Sequence, residues 1–311
     1  MKPYLSIVSP MYNEESGIKD FITTIKKTFQ KFDKPWELIL VDDGSSDHSF
    51  DIATQFTQND DNISVLSLGR HYGRGKGLRE GIKYSQGSYI VTIESDCSWN
   101  IKDIFKIIEV LEKEKADAVL VSPYTKGGKV KGVPFLRVLI SWLGNKILGL
   151  SFKGSFSMVT QMFRGYRAEV IKSLELSSDD KEFHLEVVSK LVSLGYDVRE
   201  IPGILSKRGE GKSKFRLKHT AFTHLIFSIL ERPLFFFGII GMLFFIAGIV
   251  LGGYLIYLWL TQSLNPDRPL MTLLVLLLLA GTQMFSFGLM GILIMNLRKE
   301  LLRIQTKLNS E

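Results

Sequence analysis

Two carboxylates one residue apart close a short apolar run, Ser88-Tyr89-Ile90-Val91-Thr92-Ile93-Glu94-Ser95-Asp96. The run is rich in β-branched and aromatic residues and reads as a buried strand. Residues two apart on a strand share a face, so Glu94 and Asp96 are expected to point into one opening. Two close carboxylates repel, and each favours its protonated form unless a cation lies between them. A divalent metal with oxygen ligands, Mg2+ or Mn2+, relieves that repulsion and often holds a phosphate as well.

Two other polar stretches follow strand-like runs. Pro10-Met11-Tyr12-Asn13-Glu14-Glu15 follows Leu5-Ser6-Ile7-Val8-Ser9, a strand that Pro10 is expected to break. Asp42-Asp43-Gly44-Ser45-Ser46-Asp47 follows the almost wholly apolar Glu37-Leu38-Ile39-Leu40-Val41. Tyr12 with carboxylates at neighbouring strand ends can stack on a base and bind ribose hydroxyls or ring N–H groups. A tight acidic turn with a helix cap is the plainer reading of 42–47. Arg70-His71-Tyr72-Gly73-Arg74-Gly75-Lys76-Gly77 is a basic, glycine-rich loop whose spacing is not G-x-G-x-x-G. Its backbone N–H groups, Arg74 and Lys76 suit a diphosphate, and a flexible basic loop is the alternative. His71 does not read as a general base by itself. Cys97 reads as a small buried residue.

These stretches need a frame. Strand-like runs at 5–9, 37–41, 63–68 and 88–96 alternate with helical patterns, one of them capped by Ser16 with Ile18, Phe21, Ile22 and Ile25 on one face. That rhythm predicts a parallel sheet with right-handed crossovers. In such sheets ligands bind beyond the carboxyl ends of the strands, where 10–15, 42–47 and 94–98 all fall. A helix at 101–115 and a strand at 118–122 follow, ordinary globular patterning resumes at 163–171 and 183–194, and an edge strand at 196–201 completes the pattern. Residues 135–150 are apolar on most of their surface, with Trp142, Arg137 and Lys146 among them. They suit a helix lying in a membrane interface, or an ordinary core helix.

The 311 residues carry 39 Lys and Arg against 32 Asp and Glu, a net charge of +7. The single cysteine excludes an intramolecular disulfide and a zinc-type cluster. Residues 233–260 and 269–297 contain no charge and exceed the ~20 residues needed to cross a bilayer. Basic residues flank them on both sides. This predicts a multi-pass hairpin with both flanks cytoplasmic, in the cell membrane or, in a eukaryote, the endoplasmic reticulum membrane. The expected organisation is a cytoplasmic domain at 1–218, a juxtamembrane amphipathic helix at 219–232, two transmembrane helices and a basic tail at 298–311. The excess charge belongs to a membrane lipid partner, not to nucleic acid. No cleaved signal is expected at the N-terminus. Gly238, Gly241, Gly248, Gly252 and Gly253 offer close approach to helices of other chains in a homo-oligomer.

Three motifs together, Ser6-Ile7-Val8-Ser9-Pro10-Met11-Tyr12-Asn13-Glu14, Val41-Asp42-Asp43-Gly44-Ser45-Ser46-Asp47 and the strand ending in acid-x-acid, carry a resemblance. The sequence resembles the family 2 inverting glycosyltransferases of GT-A fold. Within them it is similar to the membrane-anchored polyprenyl-phosphate glycosyltransferases, such as those making dolichyl-phosphate mannose or glucose. The resemblance implies an α/β fold, a mainly parallel sheet flanked by helices, followed by the two-helix transmembrane hairpin. It implies a hexosyltransferase moving a sugar from a UDP- or GDP-linked donor to a dolichyl or undecaprenyl phosphate. Pro10, Tyr12, Glu14, Asp42 and Asp43 would hold the nucleoside, and Glu94 and Asp96 the metal and diphosphate. Asp96 would be the essential residue. Arg208, Gly211, Ser213 and Lys214 match a late R-x-x-G-x-S-K segment that closes over the phosphates, and Arg137 matches an arginine for the acceptor phosphate. Phe163-Arg164 and Glu186 match further family positions.

The sequence departs from the family pattern in places. Glu94-Ser95-Asp96 stands for Asp-Ala-Asp, with Ser98 in place of an amide ligand. Val121-Ser122-Pro123-Tyr124 lacks the arginine of the usual G-S-R-Y, and Met158-Val159-Thr160-Gln161-Met162 lacks an acid and a glycine. The competing readings are a processive polysaccharide synthase, whose Q-x-x-R-W motif is absent here, and a non-catalytic membrane protein that kept the fold.

Overall fold

The computed structural model describes residues 2–58, 60–149, 156–207, 233–261 and 269–308. Arg208, Gly211, Ser213, Lys214 and the helix expected at 219–232 lie outside the described residues. The chain divides into two compact units, Met1–Thr223 with Ile304–Glu311, and His224–Arg303.

The first unit is built on β1 (Leu5–Met11), β2 (Trp36–Asp42), β3 (Ile63–Ser67), β4 (Tyr89–Thr92), β5 (Ala118–Ser122), β7 (Arg164–Arg167) and β8 (Val198–Pro202). They form one seven-stranded sheet in the order β3-β2-β1-β4-β7-β5-β8. All neighbours pair in parallel except β7, which runs antiparallel to both β4 and β5. The parallel rhythm expected from sequence therefore holds on either side of one reversed strand. A small second sheet pairs β6 (Lys129–Lys131) with β9 (Ile204–Ser206). Neither β6, β7 nor β9 stands out in the sequence, because three or four residues carry too little periodicity.

Pro10 does not break β1. Val8 O accepts the N–H of Ile93, so Pro10, two residues on, faces the same side. There β4 has already ended, opposite Val8, and no ladder hydrogen bond is lost. β1 continues to Met11, paired with Asp42. The first helix, α1 (Ile18–Phe29), buries Ile18, Phe21, Ile22, Ile25 and Phe29, each worth about 2 kcal/mol of apolar burial. Its N-cap is Gly17, not Ser16, and the Glu14 carbonyl accepts the N–H groups of Gly17 and Ile18.

The remaining helices of this unit are α2 (Ser49–Thr57), α3 (Arg74–Tyr84), α4 (Asp103–Lys113), α5 (Phe135–Gly149), α6 (Ala168–Ser173) and α7 (Glu182–Leu194). α3 starts earlier than its apolar residues indicate, so Arg74-Gly75-Lys76-Gly77 is a helical turn and not a loop. Its glycines permit contact. A Cβ at Gly77 would sit 3.1 Å from Pro10 Cβ, and one at Gly75 would sit 2.7 Å from the carbonyl oxygens of Ser178 and Asp180. α3 thus lies directly on β1 and β2.

α5 is not a core helix. Phe135 is 79% exposed, and Ile140, Trp142 and Leu143 are exposed as well. Its buried anchor is Asn145, whose Oδ1 accepts the Val159 N–H at 2.9 Å while its Nδ2 donates to Ser141 O. The Lys146 ammonium lies over the Trp142 ring at 4.8 Å.

The second unit holds α8 (Pro233–Leu260) and most of α9 (Pro269–Leu308). Pro233–Leu260 and Pro269–Leu297 are long and apolar enough to cross a membrane. At 28 residues α8 is about 42 Å long. The two pack antiparallel through glycines: Gly241 faces Gly281 and Phe285, Gly248 faces Leu278, and Gly291 faces Pro233. Gly241 and Gly248 are therefore used inside the hairpin, Gly252 makes only an ordinary contact with Leu274, and Gly238 and Gly253 meet no described atom within 4 Å.

Gly81 gives a direct test of the α3 seat. Alanine there gains about 1 kcal/mol of helix propensity. Its Cβ would lie 2.4 Å from Val8 Cγ1 and 2.9 Å from Val41 Cγ2, in the fully buried sheet. Overpacking of this kind costs about 1–3 kcal/mol and wins. G81A is expected to lower the melting temperature of the detergent-solubilised protein.

Candidate active site

The carboxyl ends of β1, β2 and β4 converge on one edge of the sheet, and the loops that follow are stitched together. Asn13, at φ 52°, donates its N–H to Ser45 Oγ and accepts Ser46 N–H on Oδ1. Glu14 N–H donates to Ser49 Oγ at 2.7 Å, and Glu15 exchanges hydrogen bonds with Asp47 and His48. Tyr12 is held between these loops, half-buried.

Asp42 and Asp43 are both buried and do different work. The Asp42 carboxylate accepts the Ser45 N–H and shapes the turn. The Asp43 carboxylate reaches to the segment before α3. It accepts the N–H groups of Tyr72 at 2.8 Å and Gly73 at 2.9 Å, and His71 Nδ1 lies 2.8 Å from Oδ2. The His71 ring stacks on Tyr12, with centroids 4.0 Å apart and 20° between planes. A histidine–carboxylate pair thus exists, although its partners are far apart in sequence. The β2–β3 pairing is what joins them, since β2 leads into Asp43 and β3 into His71.

Glu94 and Asp96 lie beyond the end of β4, not within it. The strand stops at Thr92, and residues 95–96 form a turn with Cys97 at φ 56°. The two carboxylates are neighbours because of this turn, not because of strand alternation. Cys97 is exposed, contrary to the sequence expectation. Asp96 Oδ1 accepts the Ser98 N–H at 3.0 Å, and Ser98 O accepts the Ser206 N–H. Ser98, itself buried, therefore orients Asp96 through its backbone.

Glu94 Oε1 accepts the Met162 N–H at 3.2 Å, while Oε2 is buried without a hydrogen-bond partner. Burial, reinforced by the Asp96 charge, pushes the Glu94 carboxyl from 4.5 up to about 7, against the pull of Arg74. An orphaned, buried carboxylate oxygen beside a second carboxylate fits a divalent cation. Among the described residues no third acidic, histidine or cysteine side chain completes the set. Arg74 is exposed, at the start of α3, close enough for its charge to act on Glu94.

Other expected residues sit elsewhere. Pro10 is buried against α3. Lys76 pairs with Glu80 at 2.7 Å and gives its backbone N–H to Asp179 O. Arg164 is fully buried, donating to His184 O and Val159 O. Arg137 is exposed on α5. Glu186 supports the loop before α7. It accepts the N–H groups of Ser177 and Ser178 and pairs with Lys190 at 2.8 Å. That loop in turn receives Lys76 N–H and Arg79, which donates to Leu176 O.

The family model for glycosyl transferase family 2 matches residues 6–175. The chain belongs to glycosyl transferase family 2. It is 28% identical to dodecaprenyl-phosphate galacturonate synthase of Rhizobium johnstonii, over 92% of this chain and 86% of that protein. It is 25% identical to undecaprenyl-phosphate 4-deoxy-4-formamido-L-arabinose transferase of Shewanella sediminis, over 93% of this chain and 86% of that protein. Among solved structures it is similar in fold to glucosyl-3-phosphoglycerate synthase from Mycobacterium tuberculosis in complex with Mn2+, UDP and phosphoglyceric acid. That match has a TM-score of 0.56 at 17% identity and covers 74% of this chain and 78% of the other. Staphylococcus aureus TarS 1–349 with UDP-GlcNAc matches with a TM-score of 0.50 at 20% identity, over 74% and 66% of the two chains. The chain is a glycosyltransferase of GT-A fold with two apolar C-terminal helices.

Two pH-dependent outcomes follow from the carboxylates. Without added metal, Glu94 stays protonated in the folded protein up to about 7, whereas the unfolded chain ionises near 4.5. The folded state binds the extra proton in that window, so stability falls as pH rises through it. E94Q is expected to match wild type in melting temperature at pH 5 and exceed it at pH 8 in EDTA. Glu186 has the opposite sign. Burial opposes its ionisation, but Lys190 and Ser178 outweigh this and hold it down to about 2. Its contribution is present above about 4.5 and is lost as pH falls toward 2. E186Q is expected to cost about 3 kcal/mol at pH 7, with the gap from wild type closing as denaturation is followed down to pH 3.

Proposed function

We propose that the protein transfers a sugar from a nucleoside diphosphate donor to the phosphate of a polyprenyl phosphate at a membrane surface. The observation that carries this is the span of the similarity. It covers 92% of this chain in the first relative, so it takes in the apolar helices as well as the sheet. A lipid acceptor needs both, because its phosphate must meet the donor while its chain stays in the bilayer.

The acceptor phosphate is an anion at neutral pH and attacks the anomeric carbon without a strong general base. The chain's task is alignment and charge neutralisation. Tyr12, with Pro10, Glu14, Asp42 and Asp43 around it, forms the nucleoside pocket of a UDP- or GDP-linked sugar. Glu94 Oε2 and Asp96 would hold a divalent cation beside the donor diphosphate. Mg2+ or Mn2+, when bound there, offsets the charge that develops on the leaving diphosphate. Arg74 adds positive charge from the first turn of α3. Arg137, on the exposed α5, receives the acceptor phosphate, and Arg208, Ser213 and Lys214 add further phosphate ligands. The apolar face of α5, with Trp142 and Lys146, lies at headgroup level. The basic flanks of α8 and α9 keep the sheet unit and the C-terminus on the cytoplasmic side.

The test is transfer of radiolabelled sugar from a panel of UDP- and GDP-sugars to undecaprenyl phosphate in detergent, with Mn2+, Mg2+ or EDTA. A lipid-linked product that disappears in EDTA is expected, and D96N is expected to lower its rate by about 100-fold or more. No product from any donor, or full turnover by D96N, overturns the reading.

A further inference from the structure

His71 occupies the groups that a nucleobase would use. Its ring is flat against Tyr12, 4.0 Å between centroids and 20° between planes. Its Nδ1 lies 2.8 Å from Asp43 Oδ2. Asp43 already accepts two backbone N–H groups, so it acts as acceptor here and Nδ1 carries the proton. A planar ring on Tyr12, with a ring N–H directed at a buried carboxylate, reproduces what uracil or guanine would present. Both bases carry a ring N–H on their pairing edge, whereas cytosine and adenine do not.

The imidazole is also built to leave. Its side chain is 52% exposed, while the Asp43 side chain beneath it is 3% exposed. The backbone on either side does not depend on the ring, because Tyr72 and Gly73 donate their own N–H groups to Asp43. Rotation about the His71 side-chain bonds would uncover the Tyr12 face and free one acceptor position on Oδ2. Gly73 N–H would keep its bond at 2.9 Å.

We propose that His71 is a resident occupant of the nucleobase subsite, displaced by the base of the donor, and that it sets the affinity for the nucleotide. This rests on the reading of Tyr12 and Asp43 as the nucleoside pocket. Binding of the donor exchanges one stacked, hydrogen-bonded ring for another, and return of His71 competes with the nucleoside diphosphate product. The ring N–H requirement selects uridine or guanosine diphosphates over cytidine and adenosine diphosphates.

The experiment is calorimetric titration of the full-length protein in detergent, with Mn2+, by UDP, GDP, CDP and ADP. H71A is expected to tighten binding of UDP or GDP about three- to tenfold, the size of one exposed stacking contact and one hydrogen bond. H71N, which keeps an N–H donor without the ring, is expected to fall between H71A and wild type. CDP and ADP are expected to bind more weakly than the preferred nucleotide in all three proteins. Weaker or unchanged binding in H71A overturns the displacement and makes His71 an ordinary contact or a bystander. Y12A separates the two levels of the argument. If Y12A leaves nucleotide binding unchanged, or no nucleotide binds wild type or H71A, the pocket assignment itself is wrong. If Y12A weakens binding and H71A fails to tighten it, only the displacement falls.

Discussion

The site is organised by one buried carboxylate. Asp43 lies at the end of β2, almost without solvent, and spends its oxygens on the segment that leads into α3. The N–H groups of Tyr72 and Gly73 have that carboxylate as their acceptor. Leaving a buried donor unsatisfied costs roughly 1–3 kcal/mol, so this single side chain fixes where α3 begins. Everything that α3 contributes follows from it. Gly75, Gly77 and Gly81 let the helix lie against the 178–180 loop and the sheet, and Arg74 arrives close enough to act on Glu94. From the far side Glu186 secures the same arrangement by holding Ser177 and Ser178.

Glu94 shows the cost of preparing such a site. A carboxylate oxygen without a partner, beside a second carboxylate, opposes folding at neutral pH. The fold tolerates it because the surroundings are over-determined. Thr92 binds Met162 O, Met162 N–H binds Glu94, and Ser98 N–H binds Asp96. Glu94 is held by a hydrogen bond to backbone on one oxygen, which leaves the other directed at whatever enters.

Much of this was legible in the residues. Long apolar strands such as 37–41 and the α1 face of Ile18, Phe21, Ile22 and Ile25 declare themselves by period, and the three loops at the strand ends follow from the parallel rhythm. The two apolar helices needed only length and composition. What escaped was non-local or short. β7 has four residues, Arg-Gly-Tyr-Arg, with no alternation to read, yet it reverses the centre of the sheet. The Asp43–His71 pair depends on two strands lying side by side, which no local pattern encodes. The strand end at Thr92 was misplaced because Ile93 and Glu94 continue the apolar-then-acid pattern while the backbone has already turned. In α3 the glycines read as a flexible loop because the loop they pack against, residues 178–180, lies about a hundred positions away.

The reversed strand also constrains how the chain acquires its shape. β4 is made early, but its outer neighbour, β7, appears only after β5 has been synthesised, and β5 then waits for β8 to be covered. Both halves depend on pairings across long intervals, which are slow to form: Leu5 meets Tyr89 in β1–β4, Tyr89 meets Arg167 in β4–β7, and Ala118 meets Val198 in β5–β8. During translation the first half therefore carries an open edge at Tyr89–Thr92 until residue 167 has emerged from the ribosome. Gly165 serves that closure: it sits in the strand that seals the edge, and a methyl group there would collide with Ile107 of α4.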